Sequence, residues 1–181
     1  LGLLPGAGGT QRLPRLIGIR NALPLLLEGT HLSPEKALKQ GLIHAIVSAD
    51  ELMAAAKKWI VDGGDAVQPW DQKGFKVPGG GPQSPQGYET FTAGGAMLRK
   101  KTWGNYPAPV AIMSCVYEGL NCAFDAGLSL ESRHFASLAA DNVAHNMVRT
   151  LFFSMGDANK LKNRPKDVEK SEFKKIGILG A

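Results

Sequence analysis

A mostly α fold is predicted for this chain of 181 residues. Three observations predict it. Apolar residues recur at helical spacing through the second half of the chain, helix starts and stops punctuate the first quarter, and the strand-like apolar runs at Leu42–Val47 and Ile176–Leu179 are short and isolated.

Taken in order, the residues Leu1–Thr10 form a glycine-rich loop that feeds a helix over Gln11–Ile17, with Leu13 and Leu16 apolar and Pro14 near the first turn, where its missing N–H is tolerated. Asn21–Leu27 forms a second helix closed by Gly29. Ser33 caps a third, with Pro34 at its first position, Glu35 near its positive end and Gly41 just past its last turn. Leu42–Val47 follows as a strand or extended segment. Ser48-Ala-Asp-Glu51 has the form of a capping box and opens an amphipathic helix to about Val61. Between Asp62 and Gln86 ten glycines and prolines exclude a single regular element, so this stretch reads as a long loop, with Trp70 and Phe75 packing it down. Ala93–Lys101 is a helix. Pro107 and Pro109 open a longer one to about Phe124, with Val110, Met113, Val116 and Leu120 on one side. Asp125 caps a helix carrying Leu128, Phe135 and Leu138. Asp141 caps another, in which Val143, Met147, Leu151, Phe152 and Met155 recur at core spacing until Pro165 stops it. Ile176–Leu179 is a buried strand that meets Gly180.

The composition is that of a soluble globular protein, 44% hydrophobic and 20% charged. No apolar run approaches the roughly 20 residues of a membrane-spanning helix, and Leu1–Leu4 lack the charged leader of a signal peptide. The absence of a starting Met implies that Leu1 is not the natural beginning. Cys115 and Cys122, placed on one helix, would stand about 10 Å apart, too far for a disulfide. Free thiols fit a reducing compartment: a bacterial cytoplasm, or alternatively a mitochondrial matrix or peroxisome. The net charge of +5 is concentrated between Lys160 and Lys175, where seven basic residues face three acidic ones, a local net of +4. A solvated linker explains this, as does attraction for the phosphates of coenzyme A or a dinucleotide. Nucleic acid is not expected, because no aromatic stacking pattern accompanies the charge. His31, His44, His134 and His145 have no metal-ligand spacing. Ser114, Ser137 and Ser154 sit in no nucleophile elbow, and Glu118 and Glu131 read as solvated or locally paired helix positions.

The chemistry-bearing stretch is Leu1-Gly-Leu-Leu-Pro-Gly-Ala-Gly-Gly-Thr-Gln-Arg-Leu-Pro-Arg15. A Pro-Gly-x-Gly-Gly loop before a helix lets the backbone approach a ligand and aims free N–H groups at it. It lacks the Gly-Lys-Ser/Thr ending of a phosphate loop. From Gly2 to Leu13 the string resembles the crotonase (enoyl-CoA hydratase) superfamily, and Glu28–Val47 is similar to that family's next segment, so that the likeness covers about residues 1–61. The resemblance implies the C-terminal part of a crotonase (ClpP/crotonase-like) α/β spiral. It implies that two backbone N–H groups stabilise enolate-like charge on a trans-2-enoyl-CoA while two glutamates add water across its double bond. A backbone N–H of the glycine loop helps to hold that water, and Gly6 is the matching position. The glutamates and oxyanion donors are expected before Leu1, so this chain alone is expected to be inactive. A late-helix aromatic lies near the CoA adenine in this family. Phe152 matches it, with core packing as the alternative.

Ile176-Gly-Ile-Leu-Gly180 has the form of a first Rossmann strand reaching the first glycine of an NAD-binding fingerprint, with Gly180 as that glycine. Asn105–Pro109, Phe124–Glu131 and Arg149–Phe153 resemble the helical region of fused enoyl-CoA hydratase/3-hydroxyacyl-CoA dehydrogenases of fatty-acid β-oxidation, of the fatty-acid oxidation complex alpha-subunit type. The implied organisation is 1–61 crotonase part, 62–102 Gly/Pro-rich connector, 103–165 helical linker, and 166–181 basic linker with the truncated start of the NAD-binding domain. Implied ligands are an acyl-CoA and NAD. Implied partners are a second copy and a thiolase subunit. The rival readings are another crotonase-fold enzyme, an isomerase or acyl-CoA hydrolase, and a non-catalytic assembly segment.

Overall fold

The computed structural model describes residues 1–169 and 171–180. Among them the chain is mostly helical, with no strand: α1 (Gly9–Ile17), α2 (Ile19–Glu28), α3 (Pro34–Lys39), α4 (Leu52–Val61), a 3₁₀ turn (Pro69–Asp71), α5 (Pro85–Thr102), α6 (Pro107–Gly119), α7 (Phe124–Ala139), α8 (Asn142–Met147), a π-helical stretch (Val148–Ser154) and α9 (Met155–Asn159).

The core joins residues far apart in sequence. Leu4, Ile17, Ile19, Leu23 and Leu26 interlock with Ala108, Ile112, Met113, Cys115, Val116 and Leu138. Helices α1 and α2 therefore pack against α6, with α5 across α2 and α6, and α7 across α6 and α1. The buried face of α6 carries Ile112, Met113, Cys115, Val116 and Gly119, whereas Val110, expected on the apolar side, is exposed. The first helices and the later ones share one core.

Several starts and stops follow from single residues. Ser33 Oγ accepts from Lys36 N with Pro34 at the first helical position, and Asp141 Oδ1 accepts from Val143 N at 2.6 Å. Gly29, at φ 62°, ends α2 in the left-handed region. Trp70 packs the long loop, stacking on Phe124 at 5.3 Å.

Other expectations are corrected. α1 begins at Gly9, so Pro14 lies inside the helix and not in its first turn. The helix expected over Ala93–Lys101 starts earlier, at Pro85, and so takes in the end of the stretch read as a loop. Ser84 Oγ accepts from Gly87 N at 3.0 Å with Pro85 at the first position, and an 18-residue helix follows. α6 stops at Gly119, not Phe124, and α7 starts at Phe124 with Asp125 already in its first turn. Ser48 Oγ bonds the Glu51 carboxylate at 2.8 Å instead of closing a capping box, and α4 starts at Leu52. Leu42–Val47 and Ile176–Leu179 are not strands, and the latter is exposed, not buried, with Leu179 99% accessible. The physical reason is shared: a strand needs a neighbour to take its backbone bonds, and among the described residues neither run has one. Leu151, Phe152 and Met155 were expected in the core and lie exposed. Their helix widens to π geometry and packs chiefly on α8 and α9, its own chain neighbours. Lys170 and Ala181, within the basic linker and the start of the NAD-binding domain, lie outside the described residues.

Candidate functional site

The glycine turn Gly6–Gly9 delivers the chain into α1. Gly8, the N-cap of that helix, sits at φ 86°, a left-handed conformation that glycine adopts without a Cβ penalty. Having no side chain, Gly8 cannot accept from the free N–H groups of the first turn. The cap comes from Glu131 on α7. Its Oε1 accepts from Gly8 N at 2.6 Å, and its Oε2 accepts from Thr10 N at 3.0 Å and from Thr10 Oγ1 at 2.5 Å. The residue is 1% exposed. Burying a carboxylate is costly unless donors surround it, and here three donors and the positive end of a helix do so. The expectation of a solvated or locally paired Glu131 is thereby overturned. The sequence held one signal: with Leu128, Phe135 and Leu138 it falls on the apolar face of its helix, an acid where a hydrophobe belongs.

A second polar layer lies beneath. Gln11 Nε2 donates to the Cys115 carbonyl at 2.9 Å and to Thr10 Oγ1 at 3.1 Å. Arg15 Nη1 donates to Gln11 Oε1 at 2.9 Å, and Nη2 donates to the carbonyls of Gly119 at 2.7 Å and Cys122 at 3.2 Å. Arg15 thus satisfies the last carbonyl of α6, which the helix cannot satisfy itself. Burial lowers its pKa from the usual arginine value, with Cys122 acting in the opposite sense. The guanidinium groups of Arg15 and Arg12 both lie over the Phe124 ring, at 5.3 and 5.4 Å. Every buried side-chain N or O among the described residues has a partner.

Burial, reinforced by the Glu131 and Glu118 charges, pushes the Cys115 thiol from 9.0 up to about 12. Alkylation of the folded chain is expected to label the half-buried Cys122 first and Cys115 only on unfolding, with peptide mass spectrometry as the check. Because the folded value is raised, this contribution to stability is complete below pH 9 and lost as pH rises from 9 towards 12. Equal labelling rates would contradict both statements.

The residues singled out from the sequence are dispersed. Gly6 lies exposed in the turn, with the Phe135 ring over its Cα, where an added Cβ would stand 2.6 Å from Phe135 Cδ2. Phe152 is 62% exposed in the π-helical stretch, edge-on to Phe153 at 5.2 Å. Gly180, at φ 71°, belongs to the exposed final segment. Neither of the latter two joins the packed body around the glycine turn. Glu118 stays at the surface, 3.9 Å from His134 Nε2. Among the described residues no three His, Cys, Asp or Glu side chains group to hold a metal ion, and no helix is long and apolar enough to cross a membrane.

The segment that contains the turn has a clear family likeness: residues 1–63 match the enoyl-CoA hydratase/isomerase family model. Across nearly the whole chain, the fatty acid oxidation complex subunit alpha of Shewanella halifaxensis (strain HAW-EB4) is 37% identical over 180 residues, covering 99% of this chain and 25% of the relative. The protein of the same name from Shewanella frigidimarina (strain NCIMB 400) is 37% identical over 188 residues, with 99% and 25% covered. That of Shewanella baltica (strain OS155 / ATCC BAA-1091) is 35% identical over 184 residues, with 99% and 26% covered. The chain therefore spans about a quarter of the length of the curated relatives it matches. Within the enoyl-CoA hydratase/isomerase segment, Gly6 to Thr10 form the turn whose cap comes from α7, a helix outside the matched residues.

Proposed function

We propose that this chain is part of a fused fatty-acid β-oxidation enzyme that hydrates a trans-2-enoyl-CoA to the 3-hydroxyacyl-CoA and then oxidises it with NAD to the 3-oxoacyl-CoA. The observation that carries the reading is the Gly6–Thr10 turn, which lies inside the hydratase/isomerase match with the Gly6 backbone exposed above a buried polar layer. In this reading the Gly6 N–H donates to the oxygen of the attacking water. The water's hydroxyl adds to C3 of the enoyl group and its proton goes to C2, while two glutamates elsewhere in the whole protein act as base and acid. Two peptide N–H groups, also elsewhere, hold the enolate-like charge on the thioester oxygen. The 181-residue chain alone supplies the water-holding peptide but neither glutamate, and so does not turn over enoyl-CoA by itself.

Phe152, exposed on the π-helical stretch, offers an aromatic face for the CoA adenine. The oxidation rests on the order of segments and on Ile176–Gly180. Those residues are irregular and exposed, with a left-handed glycine at φ 71°, and do not by themselves make a dinucleotide site. The division into crotonase part, connector, helical linker and NAD-binding start, the self-association, the thiolase partner and a bacterial cytoplasmic setting belong to the same proposal. The names and bacterial sources of the relatives favour it.

The test is an assay of the full-length gene product with a short trans-2-enoyl-CoA. Expected are loss of the conjugated-enoyl ultraviolet absorbance and NAD reduction in sequence. A product that shifts the double bond, or releases free CoA, would replace the hydratase reading with an isomerase or hydrolase one.

A further inference from the structure

Helix α7 lies outside the segment that matches the hydratase/isomerase family, yet it closes on the glycine turn of that segment. Leu128, Glu131 and Phe135 stand at i, i+3 and i+7 and so share one helix face. Phe135 packs against one side of the exposed Gly6, where a Cβ would come within 2.6 Å of its ring, and Leu128 Cδ2 would meet a Cβ on Gly8 at 3.1 Å. Between them the Glu131 carboxylate takes the N–H groups of Gly8 and Thr10.

A turn containing Gly6, Gly8 and Gly9 is freer than one built from residues with side chains, because glycine samples φ of either sign. The peptide directions around it therefore need an outside constraint. An acceptor with two oxygens, held on a rigid helix and bonded on both sides of Gly9, supplies one. From this juxtaposition we infer that Glu131 is a positioning residue for enoyl-CoA hydration, setting the direction of the Gly6 N–H that holds the attacking water. The inference rests on the hydratase reading above. Glu131 is buried beneath the turn and does not itself meet substrate. The helical stretch after the family match is then part of the hydratase machinery and not a passive connector between two enzymes.

The experiment compares Glu131→Gln and Glu131→Asp with the unsubstituted full-length gene product. Gln keeps the size but turns an NH₂ group towards backbone donors, while Asp keeps the charge and shortens the reach. Glu131→Gln is expected to lower kcat for hydration about tenfold or more, with KM within about twofold, because misaiming a reacting group by about 1 Å is that costly while acyl-CoA contacts persist. Asp is expected to regain part of the loss. In the full-length gene product, amide exchange at Gly8 and Thr10 is expected to quicken at least about tenfold while Ile112 and Val116 in the core keep their protection. An unchanged kcat, or loss of kcat and KM together with core protection, would overturn the inference. Should the Gln variant fail to fold, the Asp variant is read by the same criteria, and an unaltered kcat there is equally fatal. If the unsubstituted protein hydrates nothing, the hydratase reading falls first and takes this inference with it.

Discussion

Replacing Arg15 by methionine is expected to destabilise the chain by about 2–4 kcal/mol, because buried neutral acceptors left without a donor cost about 1–3 kcal/mol each. Methionine fills much of the volume and donates nothing. The Cys122 carbonyl and Gln11 Oε1 would lose the donor that now serves them, and the Gly119 carbonyl would keep only the weak Cys122 thiol at 3.4 Å. The last turn of α6 would be left without the fork that ties it to α1. Lysine at this position is expected to recover little, because one ammonium cannot spread three bonds over two helices as a planar guanidinium does. Urea unfolding followed by circular dichroism checks this. A loss below about 1 kcal/mol would mean that water replaces the guanidinium and that the layer is not a structural tie.

The second large effect concerns Gly127. A Cβ on Gly127 would run into the Gln11 amide, whose Cδ would lie 3.0 Å away. Gln11 cannot retreat without surrendering its bonds to the Cys115 carbonyl and Arg15. Gly127→Ala is therefore expected to cost about 2–3 kcal/mol, by overpacking and by displaced hydrogen bonds, despite alanine's better helix propensity. In a Gln11→Ala background the same substitution is expected to be nearly free, because the colliding atoms are gone. Thermal unfolding of the four proteins in the cycle decides it, and simple additivity would show that the clash is absorbed elsewhere. Gly119 meets the same amide from α6, which is why neither helix carries a side chain at the crossing.

The helices were legible where a local signal was unambiguous. Ser33-Pro34 announced α3, Asp141 announced α8, and Gly29 ended α2 as its type demands. Ser84-Pro85 carries the same start signal as Ser33-Pro34, but the glycines just before it drew the reading towards a loop, and α5 began eight residues earlier than expected, at Pro85 instead of Ala93. The strand-like runs Leu42–Val47 and Ile176–Leu179 show the opposite failure. Their residues suit a sheet, yet sheet formation is a property of neighbours and not of one segment.

The glycine turn itself was readable, since close backbone approach needs glycine at fixed positions and the family string is specific. What sustains the turn was not. Glu131 lies 123 residues from Gly8 in the chain, and no local pattern relates an acid on one helix to the uncapped start of another. Gln11 and Arg15 are polar residues of a short helix, and only α6 and α7 closing over them makes them a buried layer. By itself the amino-acid order determined the mostly helical character, several caps and stops, and the family of the first segment, because these depend on contacts within a few residues. Only the tertiary structure decided which polar groups are buried and which apolar ones are left in water. Burial is settled by what packs on top, and here that comes from more than a hundred residues away.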